Sequence, residues 1–273
     1  MDGLVVRGRL GVMAHTPLTF EEHLTGIEAA VERMARWSHE AGVETRVPTC
    51  PGWTVRDLLA HQGMVHRWAT AIVGGAEHRD VPTGAFEQEG LAAEDPVAWV
   101  RSGVATLVQT LREAPEDLDV LTFLRQAPPA RQFWARRQDH ETTIHAVDAL
   151  SAREGRRATA ADAWFGDEHA LDGIDELLVG FWQRRSRGPR APQGKPYTAL
   201  VAAPSGDRWM LDVGPDAVRT RRLGASDPAP EPASSVLSGS AVDLYLALWN
   251  RGGHVQDQAL LLRRWREGGA VIW

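Results

Sequence analysis

Residues 136–150 read RRQDHETTIHAVDAL, and they place a carboxylate and an imidazole where one ion could sit between them. If the stretch is helical, Glu141 and His145 are four apart, one turn from each other on the same face. His140 lies five before His145, about 500° around the helix, so it points about 140° away and does not share the ion. This also excludes the zinc-protease pattern, two histidines four apart around a general-base glutamate. Two ligands make a poor site, so a third must come from elsewhere. The stretch DLLAHQGMVHRW offers His61 and His66. His61 borders the apolar stripe begun by Leu58 and Leu59, while His66, five further on, faces elsewhere. His61, Glu141 and His145 on two facing helices form a two-histidine, one-carboxylate set with a fourth position open, the arrangement of catalytic rather than closed structural zinc. The same spacing also suits a solvated Glu–His pair, and His61 alone suits a satisfied core histidine. Asp148, three after His145, can hold the imidazole from behind or pair with Arg153.

Arg67, Arg136 and Arg137 neighbour the ligands and could bind a substrate carboxylate, the alternative being a solvated helix face. His66 and His140 could move protons, the alternative being surface or capping histidines. Arg137 and His140 are the candidate catalytic residues. Cys50 has the character of a small buried thiol rather than a nucleophile, and Trp53, Trp68 and Trp134 that of packing residues.

These side chains need long helices to carry them. Thr19, with Glu22 three residues later, opens a helix whose apolar positions are Leu24, Ile27, Val31 and Met34. After the breaker VPTCPGW, Thr54 and Asp57 open a second, ended by Gly74–Gly75. A third starts at Asp95–Pro96 and runs to about Ala114, and a fourth follows Pro128–Pro129 and passes Asp148. Four such helices read as a bundle. A fifth, DEHALDGIDELLVGFWQRR, ends at the proline- and glycine-rich SRGPRAPQGKP, where the domain boundary is placed. Beyond it TALVAA, RWMLDV and AVRTRRL read as short strands, DPAPEPA as a surface loop, and SAVDLYLALWNR and ALLLRRWREG as helices. The fold class is therefore α+β: a loose tail over 1–16, a helical bundle with an extra helix over 17–187, a linker over 188–197 and a small mixed α/β domain over 198–273.

The 273 residues are 43% hydrophobic, enough for one large domain or two ordinary ones. No run approaches the roughly 18 apolar residues of a membrane span, and MDGLVVRGRLGVMAH shows no secretion signal. One cysteine fits a reducing cytoplasm, and a net charge of −6 argues against a nucleic-acid partner. Lys195 is the only lysine; so strong a bias to arginine, with abundant alanine, glycine and proline, is typical of GC-rich bacteria such as actinomycetes.

The combination VPTCPGWTVRDLLAHQGMVHRW, ARRQDHETTIHAVDAL, DGIDELL and VLSGSAVDLYLALWNR resembles the mycothiol-dependent maleylpyruvate isomerase family over nearly the whole chain from about Thr16. The resemblance implies a DinB-like four-helix bundle followed by a small sterol-carrier-like α/β domain. It also implies a divalent metal ion, usually zinc, on His61, Glu141 and His145, and mycothiol as thiol cosubstrate. A free thiol of pKa ~8.5 is mostly protonated at neutral pH; a metal ion removes that proton. The thiolate then serves cis–trans isomerisation or S-transfer to a small electrophilic substrate. The expected molecule is a cytoplasmic monomer or homodimer that binds a small-molecule substrate and mycothiol, with no nucleic acid and no membrane. Two other readings stand beside it: a non-catalytic protein holding a hydrophobic ligand, and a metal-dependent hydrolase, for which no general base is evident.

Overall fold

Side-chain caps start three of the bundle helices where the sequence places them. The computed structural model describes residues 18–124, 126–184, 188–224, 227 and 232–269, so the expected tail lies outside it, as does most of DPAPEPA. Thr19 and Glu22 form a reciprocal capping box at helix α1 (Phe20–Ala41), and Thr54 and Asp57 form another at α2 (Val55–Val73). Asp95 caps α4 (Pro96–Glu113), where Pro96 occupies a first-turn position that needs no N–H donor. Helix α5 (Ala130–Glu154) stops at Gly155, which takes the left-handed conformation at φ 64°.

Helices α1, α2, α4 and α5 pack on one another as a bundle around Leu24, Ile27, Leu58, Leu59, Leu107 and Ile144. A further helix, α3 (Thr83–Ala92), packs on α2. The sequence reading places no element there, because TGAFEQEGLA has no apolar stripe. Only Gly90 is buried in it, and a Cβ on Gly90 would stand 2.8 Å from Ala60 Cα and 2.7 Å from the Trp99 ring. Close backbone approach, which leaves no periodic signal, seats this helix.

Helix α6 (Asp167–Asp175) continues into a π-helical turn over Glu176–Phe181, where a regular helix is expected from the sequence. The sheet that follows has five strands in the order β3-β2-β1-β4-β5. Strands β1 (Tyr197–Ala202), β2 (Arg208–Val213) and β3 (Val218–Leu223) form an antiparallel meander. Strand β4 (Ser235–Ser238) runs parallel to β1, and β5 (Gln256–Gln258) pairs antiparallel to β4. The meander matches the three strands read from the sequence. β4 and β5 are short and carry no alternating run long enough to be read. Trp209 and Leu211 on β2 and Ala199 and Val201 on β1 are fully buried. Helix α7 (Ala241–Leu248) packs on α6, and α8 (Leu261–Gly269) packs on β4 and β5. Among the described residues no helix is long and apolar enough to cross a membrane.

Candidate metal centre

Helix α5 runs through the interior: every residue from Phe133 to Ala152 is buried, most of its polar ones included. A helix polar on all sides normally belongs in solvent. Here its charged groups are matched by acidic groups on neighbouring elements. Arg136 Nε donates to Asp172 Oδ2 at 2.9 Å, and His140 Nε2 lies 2.8 Å from the same oxygen. His140 Nδ1 contacts the Tyr245 hydroxyl at 3.2 Å, and His23 Nδ1 is 2.9 Å from Asp139 Oδ2. The alternatives of a solvated arginine face and of surface histidines at His66 and His140 are therefore overturned. His66 is buried between α2 and α5, with Nε2 3.0 Å from Thr142 Oγ1 and 2.8 Å from Gln62 Nε2. Burial holds the pKa of His66 down to about 3 and that of His140 down to about 4. Arg67, the third arginine considered for substrate, instead lies over Trp99 and bonds to backbone carbonyls at Gly63 and Trp99.

The structure brings His61, Glu141 and His145 together. One potential ligand atom from each lies within 4.8 Å of the others, and all three residues are buried. Glu141 Oε1 is 3.4 Å from His145 Nε2 and 3.8 Å from His61 Nε2. Donors about 2.0–2.2 Å from a tetrahedral ion stand about 3.3–3.6 Å from one another, and the two separations to Glu141 lie in or close to that range. Glu141 Oε1 is buried and has no hydrogen-bond partner, which is costly for a carboxylate oxygen unless a cation meets it. The residues fit a divalent ion.

Electrostatics sets the charge of Glu141 and His61 for ligation, while His145 in the metal-free protein favours its protonated form and would release that proton to an ion. Burial opposes ionisation of Glu141, but the Arg137 guanidinium and the two imidazoles outweigh it and hold its carboxyl well below the usual range. Burial lowers the pKa of His61, favouring the neutral imidazole that ligates metals. At His145 burial is outweighed by Asp148 and Glu141, and the pKa rises. Asp148 Oδ2 lies 2.9 Å from His145 Nδ1, which directs Nε2 toward Glu141. Of the two roles open to Asp148, support of His145 is the one seen; Arg153 pairs with Glu40 and Glu154 instead.

The surroundings hold several groups that spacing alone does not reveal. Arg251, beyond α7, donates to both oxygens of Asp148, and Thr49 Oγ1 donates to Asp148 Oδ1 at 2.5 Å. Cys50 Sγ donates to Asp148 Oδ2 at 3.3 Å, and burial, reinforced by that carboxylate, pushes its pKa far up, so the thiol stays protonated. Trp53 packs, as expected, and does so against two of the ligand candidates: its ring lies 5.0 Å from that of His61 and stacks at 6.1 Å on His145. Arg137 donates to Glu141 Oε2 at 2.5 Å and to Glu176. No short-range signal marks Glu176 or Arg251 as neighbours of the site, because both arrive from distant elements. A groove of about 450 Å³ beside Tyr197, Asp212 and Arg219 on the sheet shares no residue with the triad.

Residues 24–150 match the family model described as Mycothiol maleylpyruvate isomerase N-terminal domain, and residues 168–261 match the MDMPI C-terminal domain. Among solved structures the chain is similar to the mycothiol-dependent maleylpyruvate isomerase, at 22% identity over 88% of this chain and 93% of that one, with TM-score 0.58. It is equally similar in identity and coverage to a histidine-to-alanine mutant of that protein, with TM-score 0.60. At this identity the likeness establishes a shared α+β fold. A comparison with curated proteins finds no match.

Proposed function

The chain belongs to the mycothiol maleylpyruvate isomerase family, and from that premise we propose that it is a metal-dependent enzyme using mycothiol to isomerise a small unsaturated acid such as maleylpyruvate. The observation that carries the reading is the convergence of His61, Glu141 and His145 on one point. His61, Glu141 and His145 would hold a divalent ion, zinc by the donor set, which would act as a Lewis acid and lower the pKa of an incoming thiol from about 8.5. The thiolate adds to the double bond, forming a C–S bond while the π electrons move onto the conjugated carbonyl oxygen. The former double bond rotates as a single bond. The electrons then return and the thiolate leaves, so the trans product forms with no net proton change.

The chain's own residues orient and shield this chemistry. Asp148 accepts the Nδ1 proton of His145 and fixes which nitrogen faces the site. Trp53 covers one flank of both imidazoles and limits water there. Of the two candidate catalytic residues, Arg137 acts through Glu141. His140 has both ring nitrogens engaged by Asp172 and Tyr245, so its part is to tie α5 to α6 and α7. The helical part over 17–187 is the metal-binding domain, the 198–273 segment follows it as a second domain, and the setting is the reducing cytoplasm of an actinobacterium, where mycothiol is the bulk thiol.

Metal analysis of the purified protein, followed by calorimetric titration with mycothiol, tests this. About one divalent ion per chain is expected, lost in His61→Ala and Glu141→Ala, with thiol binding that requires the ion. Protein that binds no divalent ion with the three ligands intact would overturn it. A product that retains the sulfur would move the assignment to S-transfer.

A further inference from the structure

We infer that Arg137 is a positioning residue that confines Glu141 to ligation through a single oxygen, and so keeps a coordination position open for the thiol. The inference rests on the metal reading above. Arg137 precedes Glu141 by one helical turn, so both side chains lie along one face of α5. Its Nη2 donates to Glu141 Oε2 at 2.5 Å, while Oε1, the oxygen without a hydrogen bond, faces His145 and His61. The two oxygens of one carboxylate are thus already divided, one to a guanidinium and the other to the ion.

Arg137 is not free to give up its share. Its Nη1 is held by Glu176, on the π-helical turn that interrupts the helix after α6, and such turns commonly aim side chains at functional sites. The guanidinium lies 5.1 Å from the Phe181 ring and 5.4 Å from the Trp249 ring, and the side chain is 3% exposed. Two-oxygen ligation by Glu141 would set the ion and the Arg137 guanidinium in competition for Oε2 and weaken a buried charge pair. Without Arg137, nothing in this geometry holds Oε2 back, and a carboxylate binding through both oxygens would take the position that an external sulfur needs. The same contacts explain why Arg137 does not present itself to a substrate carboxylate.

Cobalt(II)-loaded protein gives a direct reading, because a thiolate on cobalt produces a charge-transfer band. In the wild type, mycothiol should produce this band, and a crystal structure of the cobalt form should show Glu141 bound through one oxygen. Arg137→Gln should still hold one cobalt per chain while its thiol affinity, read from the band, falls at least about tenfold. Arg137→Lys, which can still hold Oε2, should recover part of it. Wild-type ligation through both oxygens of Glu141 overturns the inference without recourse to any variant. So does an Arg137→Gln protein that takes thiol as the wild type does, or one that loses cobalt altogether. A wild-type protein that binds no cobalt fails at the earlier step, and the metal reading falls with the inference.

Discussion

Asp148 and Arg251 stand 103 positions apart and meet as a buried two-point ion pair directly behind a metal-ligand candidate. Arg251 Nε donates to Asp148 Oδ1 at 2.9 Å and Nη2 to Oδ2 at 2.8 Å, while Oδ2 also lies 2.9 Å from His145 Nδ1. Arg251, three residues beyond α7, is thereby linked to the orientation of a side chain on α5.

Asp148→Asn should weaken the divalent ion by about 10–100-fold in chelator competition, since the imidazole loses its anionic support. It should also cost about 3–5 kcal/mol of stability in denaturant titration, because Arg251 is left buried and unpaired. Arg251→Met in the Asp148→Asn background should recover part of that stability but not the metal affinity. Equal recovery of both would show that Asp148 acts only through the fold.

Stability should fall as pH drops from about 6.5 toward 4. Burial depresses His66 to about 3 and His140 and His169 to about 4, against an ordinary value of 6.5. In that window the unfolded chain takes up protons that the folded chain refuses, so acid favours unfolding, by on the order of several kcal/mol in all. His61, also lowered by burial, adds to this, and Glu176, raised to about 7 by burial and its acidic neighbours, works in the opposite direction, one group against four. Urea titrations across the window should give a slope that His66→Gln makes shallower; a flat profile would contradict the neutral buried imidazoles.

Gly63→Ala should destabilise the protein although alanine is the better helix former. The added Cβ would lie 2.0 Å from the Trp99 ring, whose centroid is also 3.8 Å from the Arg67 guanidinium carbon. Overpacking of this kind costs about 1–3 kcal/mol, more than the roughly 1 kcal/mol gained in helix propensity. A melting temperature at or above the wild-type value would refute the close α2–α4 contact.

Trp134→Ala should cost about 3–5 kcal/mol in chemical denaturation. The indole is fully buried, packs at 5.0 Å on Trp68 and 5.3 Å on Phe133, and donates to the Leu121 carbonyl at 2.9 Å. A loss below about 1 kcal/mol would mean that the site collapses around the missing ring.

Much of the helical architecture was legible because its signals are local. Thr19, Thr54 and Asp95 cap the helices that the sequence assigns to them. Helix α3 and strands β4 and β5 were not legible. The first is seated by the absence of a Cβ at Gly90, and the other two by pairing with β1 and with each other. The π-helical turn at Glu176 likewise follows no periodicity in its residues.

By itself the sequence determined that Glu141 and His145 share one face of a helix and that His61 borders the apolar stripe of another, since 3.6 residues per turn leaves no other outcome. Only the tertiary structure decided that the polar faces of α5 lie inside, that Arg137 takes one oxygen of Glu141, and that Arg251 stands behind His145. The physical reason is that helical period says which side chains are neighbours along one rod. Whether a charged face is dry or wet depends on the charges that other elements bring to it, and Asp172, Glu176 and Arg251 arrive from far along the chain.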